Sequence, residues 1–200
     1  MTLRPRHAMR RLVLLVAMLL VLPAVAAPAP ALAATPCDGF VPGQTIDGSV
    51  TVAAGAECVL NSTTVTGSVT VAPGGALIIE SGSTIQGHVV ANGHVRLLIG
   101  NSAVWGSVTA TGGTASGTHV TSSSVGSQLV LTGNAQNAFG VSNSQVGGSA
   151  VITGNHAVES FQVVTNTIGG NLYCAGNTAP DPGFVFAGNT VSGRTIGNCR

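Results

Sequence analysis

The feature that most constrains this chain is a repeat of 19 to 23 residues that runs from residue 45 towards the C-terminus. A β-branched residue, followed two positions later by Gly or in one copy by Ser, recurs eight times. The eight β-branched positions are Ile46, Val65, Ile85, Val104, Val125, Val146, Ile168 and Val191. Self-similarity at this period is the signature of a solenoid, in which each repeat forms one coil.

Apolar residues also recur four and six positions after the β-branched residue in every copy except the last, which carries Thr195 and Gly197 there. Because side chains alternate between the two faces of a strand, these positions all point to one side. A second apolar pair follows in most copies, whereas the copy that begins at Val104 lacks a clean second strand around residues 114–118. The pairs are Cys58/Leu60, Leu77/Ile79, Leu97/Ile99, Phe139/Val141, Phe161/Val163 and Phe184/Phe186.

These columns predict an all-β fold, a parallel β-helix (solenoid) of about eight coils of 19–23 residues. The general preference for right-handed parallel crossovers predicts a right-handed coil. Stacking of the coils would bring Phe139, Phe161 and Phe184 into one internal aromatic column. An antiparallel β-sandwich also uses short alternating strands, but it does not keep position-specific columns across eight copies.

The N-terminus has the organisation of a secretory signal peptide over residues 1–33. Residues 4–11 are rich in Arg, residues 12–22 are apolar, and residues 31–33 supply a small-residue cleavage site. The apolar run is shorter than the roughly 20 residues that a membrane span requires, although a retained anchor is the alternative. We therefore expect residues 34–200 to form a β-helix domain that is secreted or held at the cell surface, without a transmembrane span after cleavage.

Four cysteines, Cys37, Cys58, Cys174 and Cys199, follow the leader, and an even count in an exported chain favours disulfides. Coils about 4.8 Å apart would separate the two ends by roughly 29 Å. A disulfide needs Cα atoms about 4.4–6.8 Å apart. We therefore predict the local pairs Cys37–Cys58 and Cys174–Cys199, one at each end. The cysteine spacing does not match that of zinc sites.

Two early copies carry a family resemblance. Residues 45–52 (TIDGSVTV) and 65–76 (VTGSVTVAPGGA) resemble the coils of bactofilin-type, polymer-forming β-helix proteins. The resemblance covers residues 45–110 well and the later copies loosely, and it implies a β-helix that associates with itself. It departs from that largely cytoskeletal family in the leader and the cysteines. The leader and the Lys-free composition also resemble secreted β-helix proteins of high-GC actinobacteria.

The ionisable residues give no sign of catalysis. Only 6% of the residues are charged, and no acid after the leader lies within three residues of another, so glycosidase pairs and calcium clusters are not indicated. These acids are Asp38, Asp47, Glu57, Glu80, Glu159 and Asp181. The histidines are interpreted as scattered surface residues: His88, His94, His119 and His156. We expect no catalytic residue, metal or cofactor, and the absence of a basic patch disfavours nucleic acid as a partner.

The outward-facing positions carry the functional hypothesis. The third position after each β-branched residue is polar throughout: Ser49, Ser68, His88, Ser107, Gln128, Ser149, Asn171 and Arg194. The fifth position changes from Thr to apolar along the chain: Thr51, Thr70, Val90, Thr109, Val130, Val151, Tyr173 and Ile196. We predict that Val130, Val151 and Tyr173 contact another copy, a cell-surface glycan or another surface protein. Ordinary strand surface is the alternative.

Trp105 is predicted to face outward, either as a platform for a sugar or partner or as a partly covered turn residue. Together these features predict an exported structural or binding β-solenoid. A carbohydrate-binding or polysaccharide-degrading β-helix is the first alternative. An ice-binding solenoid is the second, because the early Thr column resembles an ice-binding ladder, although the break at His88 and Val90 argues against a regular lattice match.

Overall fold

The structure is a computed structural model that describes residues 33–198. The predicted signal peptide, apart from Ala33, and Cys199 lie outside the described residues. The described chain forms only β-strands and turns, with these strands: β1 Thr35–Pro36, β2 Gly39–Pro42, β3 Thr45–Ile46, β4 Val50–Val52, β5 Glu57–Asn61, β6 Thr64–Val65, β7 Val69–Val71, β8 Ala76–Glu80, β9 Thr84–Ile85, β10 Val89–Asn92, β11 Arg96–Gly100, β12 Ala103–Val104, β13 Val108–Thr111, β14 Thr114–Thr121, β15 Ser124–Val125, β16 Leu129–Thr132, β17 Ala135–Ser142, β18 Gln145–Val146, β19 Ala150–Thr153, β20 His156–Val164, β21 Thr167–Ile168, β22 Leu172–Ala175, β23 Phe184–Ala187, β24 Thr190–Val191 and β25 Thr195–Gly197.

The strands stack into three parallel sheets, and the chain visits the sheets in a fixed order. Sheet A contains every third strand from β1 to β25, sheet B those from β2 to β23, and sheet C those from β3 to β24. Every pairing between neighbouring strands is parallel. One strand from each sheet makes a coil, so β1–β3 form coil 1, β22–β24 form coil 8, and β25 continues sheet A. The prediction of a parallel β-helix of about eight coils is confirmed.

The predicted apolar columns fill the interior. In sheet A, Val50 and Val52 begin two buried columns, and in sheet C the β-branched residue of each strand points inward. In sheet B, Phe161 is fully buried between Phe139, at a ring-centroid distance of 4.4 Å, and Phe184, at 5.0 Å. Both pairs are stacked, with interplanar angles of 7° and 16°. The predicted aromatic column is therefore present.

The structure corrects the prediction for the copy that begins at Val104. Residues 114–121 form the eight-residue strand β14, which pairs with both β11 and β17. Thr118 and Val120 point inward, and both are fully buried. The strand was hard to predict because Thr118 places a hydroxyl where the neighbouring coils carry Leu97 and Phe139.

The corner between sheets A and B turns through residues with positive φ, and in the later coils a buried asparagine follows each one. Gly133, Gly154 and Gly176 have φ of 64°, 63° and 64°, a conformation that glycine adopts without steric cost. Asn134 follows Gly133, and its Nδ2 donates to the carbonyl of Ala110 at 3.2 Å and to Oδ1 of Asn155 in the next coil at 2.8 Å. The repeated amide side chains thus hydrogen-bond the interior polar groups at this corner.

At the corner between sheets B and C, a residue with positive φ is again followed by a buried polar side chain, but the residue types differ. Ser62, Ser122 and Asn143 each have φ of 50°, which serine and asparagine tolerate better than bulky residues do. Each is followed by a buried hydroxyl, as at Ser123 and Ser144, where the Ser123 backbone N–H donates to Oγ of Ser144 at 3.2 Å. Polar ladders therefore occupy two of the three inner corners.

The Cys37–Cys58 disulfide is present, with a Cα–Cα distance of 5.4 Å. Cys37 lies between β1 and β2, and Cys58 lies in β5, so the bond ties coil 1 to coil 2. Cys174 in β22 is buried and disulfide-bonded. Because Cys199 lies outside the described residues, the pair Cys174–Cys199 stays a prediction.

Removal of the first disulfide tests its role. Cys37→Ala together with Cys58→Ala should lower the free energy of unfolding by about 2–4 kcal/mol, because the unfolded chain loses a covalent constraint. Chemical denaturation followed by circular dichroism measures the change. Non-reducing peptide mapping of the parent should link Cys37 to Cys58 and Cys174 to Cys199. A Cys58–Cys174 link would contradict both pairs.

Truncation of one ring tests the aromatic column. Phe161→Ala should lower the free energy of unfolding by about 3–5 kcal/mol, because it leaves a cavity between two stacked rings. Val158→Ala in the same strand is the matched control, since Val158 is exposed and should change stability by less than about 0.5 kcal/mol. Equal losses of unfolding free energy for the two substitutions would show that the aromatic column does not contribute to the stability of the core.

Candidate interaction surfaces

The predicted contact residues form one line on the outside of sheet A. Val130 pairs with Val151, Val151 with Tyr173, and Tyr173 with Ile196, in the successive strands β16, β19, β22 and β25. The two valines are half-buried, whereas Tyr173 is 37% and Ile196 40% exposed. We call these four residues the sheet A ridge. At about 4.8 Å between strands, the ridge is roughly 14 Å long.

The columns on both sides of the sheet A ridge carry no charge in coils 6–8 and are polar except at Ala175, whereas Arg194 lies beside Ile196 at the end of the ridge. Ser149 and Asn171 lie on one side, where the Asn171 backbone N–H donates to Oγ of Ser149 at 3.0 Å. Thr132 and Thr153 lie on the other, with their hydroxyl oxygens 3.3 Å apart. An apolar centre with a polar margin is the usual anatomy of a protein interface.

The polar column at the third position has a structural role that the sequence did not reveal. Oγ of Ser49 accepts the backbone N–H of Ser68 at 3.1 Å, and Oγ of Ser68 accepts that of His88 at 3.0 Å. His88 continues the ladder by accepting the Ser107 N–H at its Nδ1, at 3.0 Å. These acceptors are engaged with the backbone, so the third-position side chains help to hold neighbouring coils of sheet A together.

Trp105 does not belong to the sheet A ridge. It directly follows β12 in sheet C, at the connection to sheet A, and is 61% exposed. The structure thus brings three of the four predicted contact residues together and leaves Trp105 on another face. Its exposure agrees with an outward side chain and equally with a partly covered turn residue.

A second apolar line on the outside of sheet B was missed. Phe40, Val59, Ile78 and Leu98 occupy one column in coils 1–4, and Phe40 is 63% exposed. The signal was present, because the runs at 58–60, 77–79 and 97–99 are continuously apolar instead of alternating. Such runs are typical of parallel strands that are covered on both faces.

His119 is the last residue of this second line, and its ring fills the space beside two glycines, which have no side chains of their own. A Cβ atom built on Gly140 would lie 2.9 Å from its Nδ1, and one built on Gly117 would lie 2.9 Å from its Nε2. The imidazole therefore covers two glycines on the outside of sheet B. Burial lowers the pKa of His119 below its ordinary value of 6.5.

His94 corrects the expectation of surface histidines, because it is fully buried. Oγ1 of Thr118 donates to Oε1 of Gln136 at 2.6 Å, so Nε2 of His94, 2.8 Å from that hydroxyl, is the donor to it. Among residues 33–198, Nδ1 of His94 is the one buried side-chain nitrogen or oxygen atom that has no hydrogen-bond partner. Burial lowers the pKa of His94 from 6.5, while the backbone carbonyl of Ala91 opposes that shift.

Within residues 33–198 no three His, Cys, Asp or Glu side chains are grouped so that they could hold a metal ion. Arg96 and Glu57 form an exposed ion pair at 3.5 Å on sheet B. Among the described residues, no helix is long and apolar enough to cross a membrane.

The described residues define a disulfide-bonded parallel β-solenoid with three distinct outer faces. Comparison with known proteins finds no matching family model, no matching curated protein and no matching solved structure.

The buried imidazole of His94 and the half-buried imidazole of His119 predict how stability depends on pH. Because burial lowers the folded-state pKa of His94 and His119 below 6.5, the unfolded chain takes up protons first as the pH falls. Stability should therefore be complete above about pH 6.5 and decline as the pH falls through the lowered folded-state values. Thermal unfolding between pH 7.5 and 5 measures this decline.

The double variant His94→Asn, His119→Gln should lose less stability over the same range, since neither replacement titrates. His156→Gln, at an exposed histidine, is the matched control and should follow the parent. An unchanged pH profile in the double variant would show that these imidazoles do not set it.

Proposed function

We propose that this chain is an exported structural β-solenoid that associates with other copies of itself through the sheet A ridge. The observation that carries the proposal is the change, within one outward column, from Thr51 and Thr70 to Val151 and Tyr173. An outward strand position gains little in a monomer from Val over Thr, since both favour strands. A continuous exposed apolar line usually marks an interaction site.

Self-association is favoured over other partners by the surroundings of the sheet A ridge. Ser149, Asn171, Thr132 and Thr153 carry no charge. Arg194 lies at one end of the ridge and would face the uncharged opposite end of an antiparallel partner, so two copies of this surface meet without like-charge repulsion. Two ridges lying antiparallel would give an isologous two-fold contact, the commonest symmetry of homo-oligomers. The resemblance of residues 45–110 to bactofilin-type coils also supports a role in assembly.

Export is supported by the leader and the disulfides. Disulfides persist mainly in oxidising compartments, and the Cys37–Cys58 bond fits such an environment. The low charge is unusual for a cytosolic enzyme but suits a rod whose outer faces bind other surfaces. We propose that the mature chain lies at the cell surface or in the extracellular space.

Charge placed on the sheet A ridge tests the association. Val151→Lys together with Tyr173→Lys should weaken self-association at least about tenfold, because like charges are desolvated and face one another in the antiparallel contact. Sedimentation velocity of the mature chain over a concentration series measures it. Thr70→Lys with Thr109→Lys, in the polar half of the same column, adds the same charges and should associate like the parent.

Thermal unfolding of both double variants confirms that the fold is retained. A parent that stays monomeric at every concentration would contradict the proposal. So would a ridge variant that associates as tightly as the parent.

A further inference from the structure

An open groove runs along the outside of sheet C across coils 3–6, with a volume of about 370 Å³. Its floor is the buried serine ladder Ser83, Ser102 and Ser123. One wall is formed by the turn residues at the corner with sheet B, and the other by the outward residues of sheet C. The wall residues are Gly82, Asn101, Ser122 and Asn143 on the first side and Thr84, Ala103, Ser124 and Gln145 on the second.

The walls offer hydrogen-bonding groups that the protein does not use. The floor hydroxyls are engaged, since Oγ of Ser123 donates to the carbonyl of Thr121 at 2.8 Å. By contrast, the side chains of Asn101, Ser122, Ser124 and Gln145 are exposed and make no hydrogen bond within the described residues. Two amides and two hydroxyls thus face the groove with both donors and acceptors available.

The groove carries no charge, because none of its lining residues is Asp, Glu, Arg or His. An acidic or basic ligand would leave its charge without a counter-charge. A ligand that matches this lining is neutral and rich in hydroxyl or amide groups. The groove is open along its length, so it suits an extended chain better than a compact small molecule.

Trp105 supplies an aromatic face beside the groove. It lies two residues after Ala103, which lines the groove, so both residues point outward from sheet C. The equivalent position in the next coil is Gly126, which has no side chain to cover the indole. An exposed indole provides a large apolar face with a polar edge, which stacks on the C–H face of a pyranose ring.

The geometry points to a binding site for a neutral, linear glycan that lies along the axis of the solenoid. Its hydroxyl or acetamido groups bond to the amides and hydroxyls of the walls, and one ring stacks on Trp105. Successive coils, about 4.8 Å apart, present these groups at a spacing comparable with the advance of one sugar ring in an extended chain. This site is on a different sheet from the sheet A ridge and does not depend on self-association.

Trp105 is the single tryptophan of the chain, so intrinsic fluorescence reports on this site. Titration with neutral hexasaccharides, namely cellohexaose, chitohexaose and laminarihexaose, should give a saturable shift of the emission with at least one of them. Hexagalacturonate, an acidic chain of equal length, should bind at least about tenfold more weakly, since its charges would be desolvated without partners.

Calorimetry with the best probe compares variants. Trp105→Ala should weaken binding at least about tenfold, as expected for an aromatic anchor. Ser124→Ala with Gln145→Ala should weaken it severalfold. Tyr173→Ala, which removes the exposed aromatic ring of sheet A, is the matched control and should bind like the parent. Unchanged thermal unfolding verifies that each variant is folded.

Three results would overturn the inference. One is the absence of any spectral or calorimetric response to all three neutral probes at millimolar concentration. The second is equal affinity of Trp105→Ala and the parent. The third is tighter binding of hexagalacturonate, which would replace a neutral ligand with an acidic one. Failure of the self-association experiment leaves each of these readouts unaffected.

Discussion

Backbone hydrogen bonding between successive coils is the constraint on which the rest of the structure depends. The N–H of Val50 donates to the carbonyl of Ser68 one coil later, at 2.8 Å, and the same relation recurs along sheet A up to Leu172 and Arg194. Each coil therefore fixes the register of the next. Once the register is fixed, equivalent residues must lie above one another, so interior columns and outer faces follow together.

The sequence was most informative for residues whose position is fixed both by the stacking of coils and by the alternation of side chains along a strand. Parity and the repeat period predicted the inward columns and the aromatic stack, and the spacing of the coils predicted the Cys37–Cys58 pair. It could not predict the inner corners, because buried asparagines and serines have the composition of exposed turns and only their neighbours in adjacent coils satisfy them. Thr118 and His94 were misjudged for the same reason, since their burial depends on hydrogen bonds between different coils.

Of the outer faces, the sequence predicted some interaction surfaces and missed others. The line Val130–Val151–Tyr173 was predicted because its column changes from Thr to apolar residues. The line from Phe40 to Leu98 was missed because the strands that contain it are continuously apolar, so the outward residues could not be told from the inward ones. The polar wall of the sheet C groove could not be predicted at all. It combines residues from four coils, and each of them alone looks like an ordinary surface serine or amide. The three sheets thus present chemically different surfaces, and occupancy of one leaves the others accessible.

The disulfide between the first two coils also affects how the solenoid comes apart. A linear stack ordinarily unwinds from a terminus, where the departure of one coil breaks a single interface. Because Cys37 and Cys58 tie coil 1 to coil 2, the first coil cannot leave alone, and Cys174 in coil 8 is cross-linked as well. Coils 1 and 2 must therefore leave together, so the smallest unit that can unwind from this end is two coils instead of one. A larger unwinding unit slows the first step of unfolding, which is a kinetic form of stability.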